Sequence, residues 1–328
     1  MIKTTSAQDI PLDAKPLLLA AAHTTTTTTT TAAAAALPPA PETEYHYYYH
    51  HHHHQTQKPS LPQLMLYDLP LRKEIVGHRG LGANSANISP KHQENTIESF
   101  HAAHELGAVW VECDVQTLNC GTHVLYHDEF ATTKEGTPMR LKDATHQDLS
   151  LTRLEDALLN SAPSINFNLE IKYHGKSDDE VARMATQIAE AVHALAPKRR
   201  ICFSCFHPAA CIALVEHMHT NESKHGILFL TEAGSLDGDT YNYHDSLHEA
   251  MRFASNNGIH GVVSHASAVL ASPEPGVHAH SLGLALYTFG KHNNDVRLAV
   301  TQYCTMGVTA LIVDDVATVA RSFEQLSY

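Results

Sequence analysis

Residues 109–116 read Val-Trp-Val-Glu-Cys-Asp-Val-Gln, and residues 165–172 read Ile-Asn-Phe-Asn-Leu-Glu-Ile-Lys. On a strand, side chains two residues apart share a face, so Glu112, Asp114 and Gln116 would point one way and the valines the other. The second stretch places Glu170 and Lys172 on one face in the same manner. Taken alone, such alternation is typical of an antiparallel strand with one face in water, so the rest of the chain has to decide.

From about residue 74 to the C-terminus, strand-like runs alternate with amphipathic segments. Eight strands are predicted, over residues 74–80, 109–116, 165–172, 201–206, 226–231, 261–265, 284–289 and 310–314. Helices are predicted over residues 95–107, 178–195, 208–219, 245–257, 294–306 and 316–325, with another near 154. The first helix is predicted to begin at Asn95, with Glu98 completing a capping box, and to stop at Gly107.

Eight strand–helix units in about 250 residues predict a closed α/β fold, the (β/α)₈ TIM barrel, because right-handed crossovers make consecutive strands parallel. An open doubly wound sheet is the alternative architecture. No G-x-G-x-x-G fingerprint follows the first strand to favour it. In a barrel both faces of each strand are covered, so carboxylates and a lysine pointing inward indicate a site at the C-terminal ends of the strands.

Glu112 and Asp114 lie one strand step apart on the same face. Two carboxylates at that spacing repel each other unless one is protonated or a cation neutralises both. Hard divalent cations take oxygen ligands of this kind. The spacing therefore predicts a metal site on the second strand.

Five short blocks occur in a fixed order along the N-terminal half. They are Gly-His-Arg-Gly at 77–80, Glu-Asn-Thr at 94–96, Glu-x-Asp at 112–114, His-Asp at 127–128 and Glu-x-Lys at 170–172. Their order and spacing resemble the glycerophosphodiester phosphodiesterases, a family of TIM-barrel enzymes. The stretches 229–232, 287–290, 293–294 and 313–315 are most similar to the eukaryotic, glycerophosphocholine-cleaving branch.

The resemblance implies a role for each residue of these blocks. It makes Glu112, Asp114 and Glu170 ligands of Mg²⁺ or Ca²⁺, His78 and His127 the general acid and base in an order left open, and Arg79 and Lys172 the phosphate-binding cations. These roles suit a phosphodiester, whose negative charge grows in the transition state. Against them, Arg79 could merely pair with Glu74, and Glu94 could only fix the start of its helix.

The chain departs from the family pattern at two strand ends. Cys205 stands where the family often has serine, and Phe289 stands where it commonly has tryptophan. Phe289 is therefore a candidate wall of the substrate pocket that lacks a hydrogen-bond donor.

The expected function is metal-dependent hydrolysis of glycerophosphodiesters, such as glycerophosphocholine, to sn-glycerol 3-phosphate and an alcohol, choline or ethanolamine. An enzymatic alternative is a lysophospholipase D or sphingomyelinase D-like reaction that forms a cyclic phosphate. An alternative of another class is a catalytically silent sensor or scaffold for phosphate esters. That alternative predicts loss of part of the site, and no member is missing from the sequence.

Composition and low-complexity tracts set outer bounds. With 22 basic and 35 acidic residues the formal charge is −13, which disfavours nucleic acid as a partner. No apolar run approaches the ~20 residues of a membrane span, and six cysteines without a regular framework favour a cytoplasmic setting. Threonine, alanine and histidine tracts predict a disordered arm over residues 1–70, which leaves 71–328 for the barrel.

Residues 129–150 are too many for a simple loop between a strand and a helix. In the family such an insertion forms a cap beside the barrel mouth, where Phe130 would contact the alcohol of the substrate. A surface excursion is the alternative.

Overall fold

The computed structural model describes residues 67–69, 74–86, 92–234 and 246–325. Apart from residues 67–69, the arm predicted over residues 1–70 lies outside this range. Residues 67–69 contact the barrel: Asp68 forms a β-bridge with His225, and the side chain of Leu69 is buried inside the barrel.

Eight parallel strands close into a barrel, as the sequence predicted, because the first strand pairs with both the second and the last. In chain order the strands are β1 Ile75–Gly77, β2 Trp110–Thr117, β3 His123–Leu125, β4 Phe130–Thr132, β5 Pro138–Arg140, β6 Asn166–Ile171, β7 Ile201–Cys205, β8 Gly226–Thr231, β9 Gly261–His265, β10 Ala285–Phe289 and β11 Ala310–Val313. Around the barrel the order is β1, β11, β10, β9, β8, β7, β6, β2. The alternative of an open doubly wound sheet is therefore wrong.

Helices connect the strands on the outside of the barrel. They are α1 Ile97–Glu105, α2 Leu154–Asn160, α3 Asp178–Leu195, α4 Pro208–Thr220, α5 Leu247–Asn256, α6 Ala266–Leu270, α7 Glu274–Ser281, α8 Val296–Thr305 and α9 Val316–Glu324. The helix α3 shows why these segments form helices that pack on the barrel. Its buried residues recur three and four positions apart, and this apolar stripe packs in the core against the sheet. The short helices α6 and α7 were not predicted.

The predicted start of the first helix needs one correction. Thr96, not Asn95, is the N-cap of α1, and its side chain accepts a hydrogen bond from the backbone N–H of Ser99. Asn95 adopts a left-handed backbone with φ of 58°. The side chain of Asn95 instead donates a hydrogen bond to Asp114. Thr96 therefore caps the helix, and its neighbour Asn95 contacts the carboxylate on β2. Gly107 follows the helix with φ of 105°, as the sequence predicted.

The interior of the barrel changes character along its axis. Near the N-terminal ends of the strands it is filled by apolar side chains, including Trp110, Leu228 and Tyr287. Towards the C-terminal ends the inward positions of β2 and β6 become carboxylates, amides and a lysine. The apolar layer thus supports a polar mouth from below.

Residues 118–149, which overlap the insertion predicted at 129–150, form an ordered substructure. The strand β3 pairs antiparallel with β2, and β4 and β5 form a separate hairpin. A small core of its own holds this region together, made of Leu118, Val124, Ala131, Leu141, Ala144 and Leu149. Phe130 lies exposed on the hairpin, with the guanidinium of Arg140 5.1 Å from its ring centroid.

Candidate active site

Three buried carboxylates converge where β2 and β6 run side by side. Asp114 and Glu170 are register partners on the two strands, and Glu112 lies one inward position below Asp114. Glu112, Asp114 and Glu170 each offer a carboxylate oxygen, and these oxygens all lie within 4.8 Å of one another. The two strands thus bring together the acidic residues on which the metal hypothesis depends.

Burial and mutual repulsion set the charge of this cluster. Burial and the negative charge of Asp114 raise the pKa of Glu112 above its ordinary value. Burial alone would also raise the pKa of Asp114, but the positive charges of Lys172, Arg79 and His127 lower it. Lys172 Nζ lies 3.1 Å from Asp114 Oδ1 and also pairs with Glu170. The lysine therefore offsets part of the negative charge of the cluster.

A divalent cation fits this donor set. Glu112 Oε1 is buried and, within the described part of the chain, accepts no hydrogen bond. An unsatisfied buried carboxylate oxygen is costly unless a cation or a donor reaches it. Three carboxylates are the kind of hard oxygen ligands that Mg²⁺ and Ca²⁺ prefer.

Arg79 lies at the centre of the acidic groups and not at the surface. Its backbone is left-handed, with φ of 50°, and its backbone N–H donates to Glu112 Oε2 at 2.9 Å. The guanidinium pairs with Glu94 at 2.9 Å and lies 3.4 Å from Asp114 Oδ2. The alternative pairing with Glu74 is wrong, because the guanidinium of Arg79 pairs with Glu94 and Asp114 instead.

His78 is held by a carboxylate from the last strand of the barrel. Its Nδ1 lies 2.7 Å from Asp314 Oδ1. Burial alone would lower the pKa of His78, but the hydrogen bond to Asp314 and the charge of Glu112 raise it. Because an ionised carboxylate can only accept, Nδ1 carries the proton and Nε2 is the atom turned to the cluster, 3.9 Å from Glu112 Oε2.

His127 is held in the same way from the other side. Its Nδ1 lies 2.7 Å from the carboxylate of the adjacent Asp128. The amide of Gln116 donates to the backbone carbonyls of Tyr126 and Asp128 at 2.8 Å each, and this fixes the chain that carries the histidine. Nδ1 of each ring is thus engaged and Nε2 is the atom left for chemistry, although Nε2 of His78 also accepts a hydrogen bond from Nε–H of Arg79 at 3.3 Å.

Four polar residues complete the site, although sequence reasoning assigned them no chemical role. The carboxylate of Asp314 also accepts from the backbone N–H of Ala83 and from Asn294 Nδ2. Asn95 Nδ2 donates to Asp114 Oδ2 at 2.8 Å, and Glu94 binds Arg79. Their positions in the sequence could have identified them: Glu94 and Asn95 belong to the Glu-Asn-Thr block, and Asp314 ends the predicted last strand.

Phe289 ends β10 on the opposite side of the mouth from the carboxylates. Its ring meets that of Phe206 at 88° with centroids 6.3 Å apart, and meets the ring of His265 at 85° and 5.4 Å. Phe289, the candidate wall of the substrate pocket, therefore belongs to a cluster of three aromatic rings.

Comparison with known proteins gives matches over most of the described barrel. The model of the glycerophosphoryl diester phosphodiesterase family matches residues 78–318. The glycerophosphodiester phosphodiesterase GDPD3 of Arabidopsis thaliana is 28% identical over 77% of this chain and 78% of its own length. The glycerophosphocholine phosphodiesterase gde1 of Schizosaccharomyces pombe is 28% identical over 76% of this chain, but this chain spans 28% of that protein.

Solved structures support the fold independently. An Oleispira antarctica phosphodiesterase in complex with the product sn-glycerol-3-phosphate has a TM-score of 0.59 and 18% identity, covering 76% of this chain and 96% of that chain. A glycerophosphodiester phosphodiesterase from Thermotoga maritima has a TM-score of 0.55 and 21% identity, with 76% and 97% covered. Because the family match covers residues 78–318, well over half of the sequence, the chain is an enzyme of the glycerophosphoryl diester phosphodiesterase family.

Proposed function

We propose that this enzyme hydrolyses glycerophosphodiesters, with glycerophosphocholine as a substrate, to sn-glycerol 3-phosphate and the free alcohol in a reaction that needs a divalent cation. The observation that carries the proposal is the convergence of Glu112, Asp114 and Glu170 within 4.8 Å in a buried position. The glycerophosphocholine-cleaving relatives support the choice of substrate.

Glu112, Asp114 and Glu170 would hold the cation, Mg²⁺ or Ca²⁺. When bound, a cation supplies positive charge beside a phosphate oxygen, where negative charge grows in the transition state. Arg79 and Lys172, already placed against the carboxylates, would bind the remaining phosphate oxygens.

His78 and His127 would move the protons. Each presents Nε2, because Nδ1 is engaged by Asp314 or Asp128. One imidazole takes a proton from the attacking water as its oxygen bonds to phosphorus, and the other gives a proton to the alkoxide of the leaving alcohol as its bond to phosphorus breaks. The carboxylates hold each ring in position, as an aspartate does for the histidine of a hydrolase triad.

The direct test measures sn-glycerol 3-phosphate released from glycerophosphocholine by protein dialysed against EDTA, before and after Mg²⁺ or Ca²⁺ is restored. We expect activity only with a cation. His127→Ala should lower kcat by about 10²-fold or more while the protein stays folded. A folded, cation-supplied protein that turns over no glycerophosphodiester would favour a sensor or scaffold instead.

Phosphorus NMR of the products distinguishes hydrolysis from the lysophospholipase D or sphingomyelinase D-like alternative. Hydrolysis yields only the monoester, whereas attack by a substrate hydroxyl yields a cyclic phosphate. We expect the monoester to accumulate. Persistent cyclic product would assign the chain to the alternative reaction.

The cellular setting is proposed to be reducing and cytoplasmic. All six cysteines, which lie in the described part of the chain, have free thiols, and four of these thiols are buried. Among the described residues, no helix combines the length and apolar character that crossing a membrane requires.

A further inference from the structure

The mouth of the barrel is divided into two contiguous halves. Around the closed sheet, β11, β1, β2 and β6 are neighbours, and their inward side chains at the mouth are charged or titratable: Asp314, His78, Asp114 and Lys172. The strands on the other side end differently: Phe289 ends β10, His265 ends β9, and Phe206 follows β7, which is separated from β9 by β8. Catalytic groups therefore occupy one half and aromatic rings the other.

The register of the sheet places these rings on the inner face. Phe289 and His265 are direct partners on β10 and β9, two positions beyond the interior pair of Tyr287 and Val263. Phe206 follows β7 and packs in the same interior cluster, only 6% exposed. The rings meet almost at right angles, so they form the walls of a corner and not a flat stack.

Two further groups border this corner. Tyr173, which follows β6 on the charged side, packs against the same interior cluster. Glu232 directly follows β8, between the strands that carry Phe206 and His265, and continues the alternation of the inward Leu228 and Leu230. Aromatic rings therefore make up the corner, and a carboxylate follows the strand between them.

Resting on the proposed function, we propose that the corner formed by Phe206, His265 and Phe289 binds the quaternary ammonium group of a choline ester. A phosphate held in the charged half has two substituents, and the aromatic half is the adjoining surface of the mouth for one of them. Aromatic faces attract a weakly hydrated trimethylammonium cation strongly. The hydroxyls of glycerol gain little from such faces, so the glycerol would turn away from the corner.

An acyl chain is the competing occupant, because aromatic walls also favour apolar groups. The two occupants differ in charge. A trimethylammonium group and its neutral isostere, the 3,3-dimethylbutyl group, have nearly the same shape and apolar surface. A cation-binding corner distinguishes between them, whereas an apolar groove prefers the neutral one.

The experiment compares kcat/KM for glycerophosphocholine and for the glycerophosphodiester of 3,3-dimethylbutanol, using wild type, Phe289→Leu and Phe289→Trp with the cation supplied. We expect wild type to prefer the choline ester by about tenfold. Phe289→Leu, which keeps apolar bulk without a π face, should reduce the preference several-fold, mainly through KM for choline. Phe289→Trp should retain it.

The outcomes separate the inference from the function on which it rests. Failure of wild type to cleave either ester would overturn the proposed function. Cleavage of both with equal efficiency, or a preference that Phe289→Leu leaves unchanged, would overturn the ammonium site while the phosphodiesterase stands. Faster cleavage of the neutral ester, together with cleavage of lysophosphatidylcholine, would assign the corner to an acyl chain.

Discussion

At the scale of single residues, the two candidate catalytic histidines share one arrangement but differ in its strength. Each ring is bound through Nδ1 by a carboxylate at 2.7 Å. The side chain of Asp314 is 13% exposed, whereas that of Asp128 is 70% exposed. Because water screens exposed ion pairs, the Asp314 pair should orient its imidazole much more firmly.

The matched variants Asp314→Asn and Asp128→Asn test this difference. Asp314→Asn replaces one carboxylate oxygen by an NH₂ group, which cannot accept a hydrogen bond. The asparagine therefore cannot accept from His78, Ala83 and Asn294 as the carboxylate does, and the proton of His78 is no longer held on Nδ1. We expect Asp314→Asn to lower kcat by about 10²-fold or more and Asp128→Asn by less than about tenfold, with KM little changed in both.

Steady-state kinetics on glycerophosphocholine measure these losses, and thermal unfolding verifies that both proteins fold. Asp314→Asn combined with His78→Ala should cost little more than His78→Ala alone, because the aspartate acts through the histidine. Equal losses for the two asparagine variants would contradict the buried-pair argument.

Cys120 is a second residue whose chemistry follows from its neighbours. It is exposed, and hydrogen bonds with Thr122 and His146 lower the pKa of its thiol to about 6. The thiolate should therefore persist at neutral pH, and alkylation by iodoacetamide should fall only as pH drops through about 6. Mass spectrometry of Cys120 peptides against pH measures the midpoint, with the exposed Cys304 as an internal reference.

In His146→Ala we expect that midpoint to move up, towards the ordinary value of about 8.5. An unchanged midpoint in the variant would show that the imidazole does not stabilise the thiolate.

At the scale of secondary structure, the long periodic elements were predictable and the short ones were not. All eight barrel strands were predicted, and α3 begins and ends at the residues predicted for it, 178 and 195. The strands β3 to β5 have three residues each, and α6 has five, too few for a period to emerge. Their existence depends on tertiary contacts.

The cap of α3 offers a test of what local sequence contributes. Ser177 Oγ and the side chain of Glu180 form a capping box at the start of this eighteen-residue helix. Ser177→Ala removes the hydroxyl and should lower Tm by about 2–4 °C, whereas Ser177→Gly should cost only a few tenths of a kcal/mol. Thermal unfolding followed by circular dichroism measures both. A Tm of Ser177→Ala equal to that of wild type would mean that the hydroxyl does not stabilise the helix.

At the scale of the whole molecule, barrel closure explains what sequence reasoning could and could not find. The acidic cluster was predictable because Glu112 and Asp114 are two residues apart and Glu170 lies on the next predicted strand. Asp314 joins His78 across 236 residues of sequence, and only the pairing of β11 with β1 brings them together. Its contact with His78 could therefore not be derived from local spacing.

The same closure buries like charges, which should cost stability until a cation is bound. Burial disfavours the charged form of Glu112, and the neighbouring carboxylates add repulsion. We therefore expect Mg²⁺ or Ca²⁺ to raise the Tm of the EDTA-treated wild type. A cation at about 100 times its Kd adds about 2.7 kcal/mol to the free energy of unfolding.

Glu112→Gln separates this effect from unspecific salt stabilisation. The variant keeps the shape of the side chain but removes one buried negative charge, so its Tm in EDTA should exceed that of wild type. Its cation-induced rise in Tm should largely vanish. Glu98→Gln, on the exposed face of α1, serves as the matched control and should behave like wild type. If the cation raises the Tm of all three proteins equally, the buried carboxylates are not its binding site, and the proposed metal dependence loses its structural basis.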